Sequence, residues 1–323
     1  MVSAVAPQSV NGSEARLAIL IPCYNEAATV AKVVEDFRTA LPAATIYVYD
    51  NNSKDGTADR AREAGAVVRS ETRQGKGNVV RRMFADIEAD VYILVDGDDT
   101  YDAAVAPALV ARLIDDNLDI VSGKREATGA AAYRRGHVLG NHLLTGLTSL
   151  MFGVHLRDML TGYRVMSRRF VKSFPTAVEG FGIETELTVH SVRMLVPMAE
   201  VDTRYKERPE GSVSKLSTYR DGLRILLTIA GLTRRERPLV FYGLIFLFFA
   251  LFTFVVGIPL VVGYFETGLV PRLPTAVLVS STMVIAFLSL VAGLVLDTVT
   301  RGRWEQKRLA YLSFPGPHGL RHS

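Results

Sequence analysis

The chain has 323 residues, 49% of them hydrophobic, and a formal net charge of +4 at pH 7. That length suggests about two domains, and the apolar content is ample for a core. A single cysteine, Cys23, excludes an internal disulfide, agrees with a reducing compartment, and reads as a small buried hydrophobe rather than a nucleophile.

The opening "MVSAVAPQSVNGSEAR" has no apolar core and is no signal peptide, so residues 1–16 are expected to be a flexible N-terminus. Apolar runs then alternate with helical patterns. "RLAILIP" reads as a strand, "EAATVAKVVEDFRTAL" as an amphipathic helix, "TIYVYD" as a strand and "GTADRAREAG" as a helix. A short strand around "AVVR", a helix from Lys76 to Ile87, the strand "VYILV", a helix within "AAVAPALVARLIDD" and the strand "DIVSG" follow. This alternation predicts an α/β layer with a mostly parallel sheet. Polar residues collect where the strands end, in "PCYNE", "DNNSKDGT" and "DGDDTYD", and open α/β sheets bind ligands at that edge.

The strand "VYILV" runs into Asp96, Asp98, Asp99 and Asp102. Like charges so close repel unless something positive lies among them. Asp96 and Asp98, two apart at the tip of a buried strand, fit a divalent cation such as Mg2+ or Mn2+, whose shell is completed by water and substrate phosphates. Asp99 or Asp102 also fits the N-cap of the next helix. "QGKG" opens a helix whose N–H groups, with Lys76, could meet an anion; a plain turn before a helix accounts for it equally. There is neither a GxxxxGK[ST] loop nor a GxGxxG fingerprint, and the histidines lack the spacing of a metal set. Nothing calls for a nucleic-acid partner.

Further along the chain "KLSTYRDGLRILLTIAGLTRRER" (215–237) mixes Arg220 and Arg224 with Leu223, Ile225, Leu226, Leu227 and Ile229, and reads as an interfacial helix or as a core helix of the soluble domain. No charged residue lies between Arg237 and Glu266, and a second uncharged stretch runs from Leu273 to Leu296. Each exceeds the roughly 20 residues that cross a bilayer, so spans at 238–265 and 273–298 are expected, with a tail at 299–323 whose end "PGPHGLRHS" looks disordered. "RRER" before the first span and "RGRWEQKR" after the second place both ends on the cytoplasmic side, in the plasma membrane if the cell is bacterial. Residues 1–122 carry 12 basic and 19 acidic side chains, net −7, whereas residues 123–237 carry 19 and 11, net +8. A basic region next to the membrane suits an anionic lipid, beside its ordinary positive-inside share. Gly257 and Gly263 would let spans approach in a homo-oligomer, and equally read as scattered helix glycines.

"ILIPCYNE", "DNNSKDGT", "GKG", "DGDDTYD", "DMLTGYR", "GFGIETEL" and "RPEGSVSK", in this order, resemble the family-2 glycosyltransferases of GT-A fold, in the dolichol-phosphate mannose synthase-like branch that loads a sugar onto a polyprenyl phosphate. The resemblance covers about 17–216 and implies a GT-A domain over 17–214. It implies a nucleotide-diphospho-sugar donor (UDP or GDP), a polyprenyl phosphate acceptor and a divalent metal. Pro22, Tyr24, Glu26 and Asp50 would border base and ribose, and Lys76 the diphosphate. Asp96 and Asp98 would be the DxD pair that binds metal. Arg125, Arg134 or Arg135, and Asn141 would hold the acceptor. Arg208, Ser214 and Lys215 would lie in a loop closing over the diphosphate, with Ser214 also reaching the acceptor phosphate. Asp158 would be a base or a positioning carboxylate. Asn51 stands where the family often has a second Asp, and Thr100 where Gln is common. Glu184 and Glu186, two apart on a predicted helix, do not share a face, which leaves one for the sugar and one for the fold.

A phosphate monoester with a second pKa near ~6 is already largely anionic at neutral pH, so positioning suits Asp158 better than base catalysis. Attack in line with the departing nucleotide would invert the anomeric centre. Two other readings differ in what they require. A processive polysaccharide synthase would bring more spans and a QxxRW motif, which Trp304 in "GRWEQ" does not match. A tethered sugar-nucleotide sensor would bind without turnover.

Overall fold

The computed structural model describes residues 15–127, 146, 158–175, 182–206, 230–231, 233–270 and 272–317. The chain divides into two compact units, 1–216 with 307–323, and 217–306.

The first unit alternates as the patterning predicts. Its elements are β1 (Leu17–Cys23), α1 (Val30–Ala40), β2 (Thr45–Asp50), α2 (Thr57–Glu63), β3 (Val67–Ser70), α3 (Lys76–Asp86) and β4 (Val91–Leu94). A 3-10 turn (Ala103–Val105), α4 (Ala106–Asp115) and β5 (Ile120–Ala127) follow, then β6 (Arg164–Ser167), α5 (Arg168–Ser173), α6 (Ile183–Met194) and β7 (Met198–Tyr205). They build one seven-stranded sheet in the order β3-β2-β1-β4-β6-β5-β7. Among the described strands only β6 runs against its neighbours. The interior strands β1 and β4 read as continuous apolar runs because both faces are covered; Val91, Tyr92, Ile93 and Leu94 are all buried. Helix α1 buries Val30, Val33, Val34 and Phe37, one stripe at helical spacing.

This topology places the chemistry-bearing segments together. β1, β2 and β4 are parallel, so the loops after Cys23, Asp50 and Leu94 leave from one edge. β6 begins at that edge, with Arg164 opposite Leu94 and Ser122, and the loop before it is therefore brought there as well.

The second unit holds α7 (Pro238–Thr267) and most of α8 (Leu273–Leu312), 30 and 40 residues long and apolar enough to cross a membrane. They lie antiparallel, as shown by Phe246 against Phe287, with ring centroids 5.7 Å apart, and by Val279 and Tyr242 close to Gly257 and Gly293. Leu244, Phe248, Phe254, Val261 and Phe265 face outward. Trp304 donates from Nε1 to Glu236 Oε2 at 3.1 Å, so it ties the two helix ends instead of serving a QxxRW site. Helix α8 does not stop where its apolar stretch does: it continues to Leu312 through the stretch expected as tail, because "RGRWEQKRLAYL" is rich in helix formers and its charges mark a change of surroundings, not a breaker. Residues 215–229 and 232 of the interfacial segment lie outside the described residues.

The last turn of α8 belongs to the first unit. The Tyr311 hydroxyl donates to Asp119 Oδ2 at 2.6 Å, while Arg169 donates twice to the same carboxylate (2.6 and 2.8 Å) and Ser167 Oγ once (2.6 Å). Asp119 is fully buried, and the Arg169 guanidinium lies over the Tyr311 ring. Removing the arginine leaves a buried charge uncompensated, whereas removing the phenol leaves it one donor short. We expect Arg169→Met to cost about 3–5 kcal/mol and Tyr311→Phe about 1.5–3 kcal/mol, read as ordered losses of thermal stability of the solubilised chain. Equal melting of both variants and wild type would show that the carboxylate does not depend on this network.

Candidate active site

Two loops at the sheet edge are stitched to each other. Asn25 Oδ1 accepts from Lys54 N (2.9 Å), and Asn25 N donates to Ser53 Oγ (2.8 Å). Glu26 N donates to Thr57 Oγ1 (2.9 Å) and Ala27 N to Asp55 Oδ2 (3.0 Å). The polar residues of "PCYNE" and "DNNSKDGT" thus fix the shape of the rim on which Pro22, Tyr24 and Glu26 sit. Asp50 is buried; its Oδ2 accepts from Ser53 N at 3.1 Å, and its Oδ1 has no hydrogen-bond partner among the described residues. Asn51 uses its amide donors on the carbonyls of Glu71 and Arg73 (2.8 Å each) and its oxygen on Gly75 N (2.7 Å). A carboxylate could not donate those two bonds, which explains an Asn here: it clasps the loop that leads into α3.

Each carboxylate after β4 meets a group of its own. Lys76 Nζ, at the start of α3, lies 2.5 Å from Asp96 Oδ1 and 2.5 Å from Glu184 Oε1, at the start of α6. Burial would lower the Lys76 pKa, but Asp96 and Glu184 outweigh it and hold the ammonium above the usual lysine value. Asp98, 3% exposed, accepts at Oδ1 from the Thr100 hydroxyl at 2.6 Å. Asp99 pairs with Lys32 at 3.0 Å, and Asp102 caps the 3-10 turn by accepting from Ala104 N at 3.0 Å. Between the first two aspartates, the Gly97 carbonyl accepts from the Thr29 hydroxyl at 2.6 Å. A Cβ on Gly97 would come 2.6 Å from Cys23 Sγ, so Cys23 is packing. Burial raises its thiol pKa well above the ordinary value.

The loop before β6 carries the other half. Asp158 receives two guanidinium bonds from Arg125, 2.7 and 2.8 Å, and a backbone bond from Leu160 N. Burial pushes the Asp158 carboxyl up, yet Arg125 outweighs that and holds it below the usual carboxylate range. Arg125 therefore answers first to Asp158, with Tyr205 under its guanidinium. Nearby, the Thr161 hydroxyl donates to Gly123 O (2.6 Å) and Gly162 N to Tyr101 Oη (2.8 Å). Arg164, 2% exposed, spends its guanidinium on the carbonyls of Met159, Thr161 and Glu184 and on Thr188 Oγ1. Neither Arg164 nor Tyr101 stands out in sequence, although both lie inside the motifs "DMLTGYR" and "DGDDTYD".

Among the described residues no group of three or more His, Cys, Asp or Glu could enclose a metal. Asp96 and Asp98 alone suit an ion that takes most of its oxygen ligands from water and a diphosphate. The surroundings of Asp96 are cut to its shape: a Cβ on Gly162 would collide with the Asp96 carboxylate, with the carboxyl carbon only 2.9 Å away. Arg134, Arg135, Asn141, Arg208, Ser214 and Lys215 lie outside the described residues. The site as described thus unites Asp50, Lys76, Asp96, Asp98, Arg125 and Asp158 at one edge, and adds Glu184. Gly162→Ala is expected to displace the Asp96 carboxylate and lower kcat/KM by one to two orders of magnitude, equivalent to about 1.4–2.8 kcal/mol. Wild-type kinetics in that variant would mean the close approach is immaterial.

Comparison with known proteins places this arrangement. Residues 18–174 match the family description Glycosyl transferase family 2. The glycosyltransferase AglJ of Haloferax volcanii is 34% identical over 226 residues, 70% of this chain and 74% of the relative. A dolichyl-phosphate hexose transferase of the same organism is 29% identical over 221 residues, 68% of this chain and 95% of the relative. Among solved structures, glucosyl-3-phosphoglycerate synthase from Mycobacterium tuberculosis in complex with Mn2+, UDP-glucose and phosphoglyceric acid superposes with a TM-score of 0.56 at 24% identity, covering 67% of this chain and 80% of that one. The fold is GT-A-like, and the chain belongs to glycosyltransferase family 2.

Proposed function

We propose that this glycosyltransferase moves a sugar from a nucleotide-diphospho-sugar to the phosphate of a membrane polyprenyl phosphate, with inversion at the anomeric carbon and with Mg2+ or Mn2+ bound. One observation carries the choice of acceptor: the chain runs on from its transferase unit into two helices long and apolar enough to cross a membrane, with apolar side chains facing outward. An acceptor held at a bilayer gives those helices a purpose, and the relative that bears the name dolichyl-phosphate hexose transferase supports the same class. Basic flanks keep the transferase unit on the cytoplasmic side.

The donor's base meets Asp50. Its Oδ1 has no hydrogen-bond partner among the described residues and its Oδ2 accepts one bond, from Ser53 N, so the carboxylate has acceptor capacity for a ring N–H of the base. We take the uracil ring N–H as that donor, which makes the sugar donor a UDP-sugar in this reading. A divalent cation held by Asp96 and Asp98 would neutralise charge building on the leaving diphosphate. Lys76 lies beside Asp96, positioned to meet the same phosphates.

An acceptor phosphate oxygen forms the new bond to the anomeric carbon as the bond to the diphosphate breaks and UDP leaves. No proton need be removed at neutral pH. Asp158 fits this by orienting: its carboxylate, already ionised and pinned by Arg125, fixes the guanidinium that faces the acceptor. A carboxylate so stabilised is a poor base.

In bilayer nanodiscs, UDP release from a UDP-sugar panel should require polyprenyl phosphate and stop on chelation, with GDP-sugars inert. Asp98→Asn should lose on the order of a hundredfold. Chelator-insensitive release, or release independent of lipid, would overturn the assignment. The pH profile separates the two roles of Asp158. Its folded pKa is depressed, so it stays ionised through the neutral range, and the acid limb should follow the acceptor phosphate near ~6. That limb should persist in the residual activity of Asp158→Asn; its disappearance would make Asp158 the titrating base.

A further inference from the structure

The mechanism above uses Lys76 and Asp96 but leaves Glu184 idle, although the three form one chain of contacts. Lys76 Nζ stands 2.5 Å from a carboxylate oxygen on either side, Asp96 Oδ1 and Glu184 Oε1. The Lys76 and Glu184 side chains are 12% and 10% exposed, that of Asp96 29%, so Asp96 alone opens toward solvent. The main chain of Glu184 is pinned too. Its carbonyl accepts from Arg164 Nη2 at 3.1 Å and from Thr188 Oγ1 at 2.9 Å. Its place in the first turn of α6 favours a negative charge. Glu184 is thus anchored through its main chain, and Lys76 carries the longer, more flexible stem.

We propose that Glu184 is a positioning residue for the transfer, acting through Lys76: it holds one side of the ammonium so that Lys76 cannot neutralise Asp96 by itself, and so preserves negative charge on Asp96 for a divalent cation. The inference rests on the metal-dependent reading given above. Two carboxylates share one ammonium, so the Asp96–Lys76–Glu184 chain of contacts carries a net −1. Replacing Glu184 by a neutral residue removes that charge and leaves the ammonium to Asp96, a cation beside the place where another cation would bind. Lysine suits the role because its ammonium donates three hydrogen bonds in any direction and moves on a flexible stem. When a diphosphate arrives, the same ammonium can turn to it while Glu184 keeps its base in place.

Mn2+ binding to the full chain in detergent, without substrates, tests this by electron paramagnetic resonance of the free ion, alongside thermal melting to confirm the fold. Glu184→Gln should weaken Mn2+ binding roughly three- to tenfold, the scale of one altered charge partner at an effective dielectric of about 20. Glu184→Asp, which retains the charge, should recover part of the loss. Lys76→Met should bind Mn2+ more tightly than wild type, and adding Glu184→Gln to it should remove less than Glu184→Gln removes alone, because no ammonium remains to be released. Wild-type Mn2+ affinity in a folded Glu184→Gln chain would overturn the proposal. So would an equal loss with and without Lys76, which would mark Glu184 as acting directly or structurally. If the wild-type chain binds no Mn2+ and transfers sugar in chelator, the metal-dependent reading fails and takes this inference with it.

Discussion

The structure depends on concentrating carboxylates at one edge of a buried sheet and drawing their partners from other elements of the chain. Asp96, Asp98, Asp99 and Asp102 follow a strand buried on both faces, and repulsion among them would be costly without local partners. Their partners among the described residues include Lys76 for Asp96, the Thr100 hydroxyl for Asp98, Lys32 and Lys206 for Asp99 and the Ala104 amide for Asp102, and Lys76 is shared with Glu184. In the proposed reading this carboxylate-rich tip suits a hard cation and, through the cation, a diphosphate.

Across the same edge the arrangement is reversed. Arg125 faces Asp158 in a two-pronged pair and lies over Tyr205, a rigid setting for a guanidinium. Arg164 holds the loop after Asp158 by its carbonyls and reaches over to the start of α6, so that the loop before β6 and the helix bearing Glu184 are fixed by a single buried cation. In the proposed reaction the carboxylates would face the donor and Arg125 the acceptor, an arrangement suited to two mutually repelling phosphorylated substrates.

Local pattern made the strand and helix alternation legible, since the apolar runs of β1 and β4 and the stripe of α1 depend on near neighbours. The Asp96–Asp98 pair was legible for the same reason. What sequence hides is partnership across distance. Lys76 and Glu184 are 108 residues apart, Arg125 and Asp158 33, Asp119 and Tyr311 192. None of these pairs has a spacing that announces it. The antiparallel course of β6 is equally silent, as its four residues look like any buried strand. Asn51 is instructive: it looks like a lost carboxylate by family pattern, and only the three hydrogen bonds it makes reveal that an amide is needed. That α8 runs on to Leu312 past its apolar stretch is not announced by the change from apolar to charged residues.

The central claim is that Asp96 and Asp98 bind a nucleoside diphosphate through a divalent cation. Calorimetric titration of the solubilised chain with UDP, in Mg2+ and in chelator, tests it most directly. The account predicts at least about a tenfold loss of affinity without Mg2+, a difference near 1.4 kcal/mol, and no such difference in Asp98→Asn. Equal UDP affinity with and without the ion in the wild-type chain would contradict it.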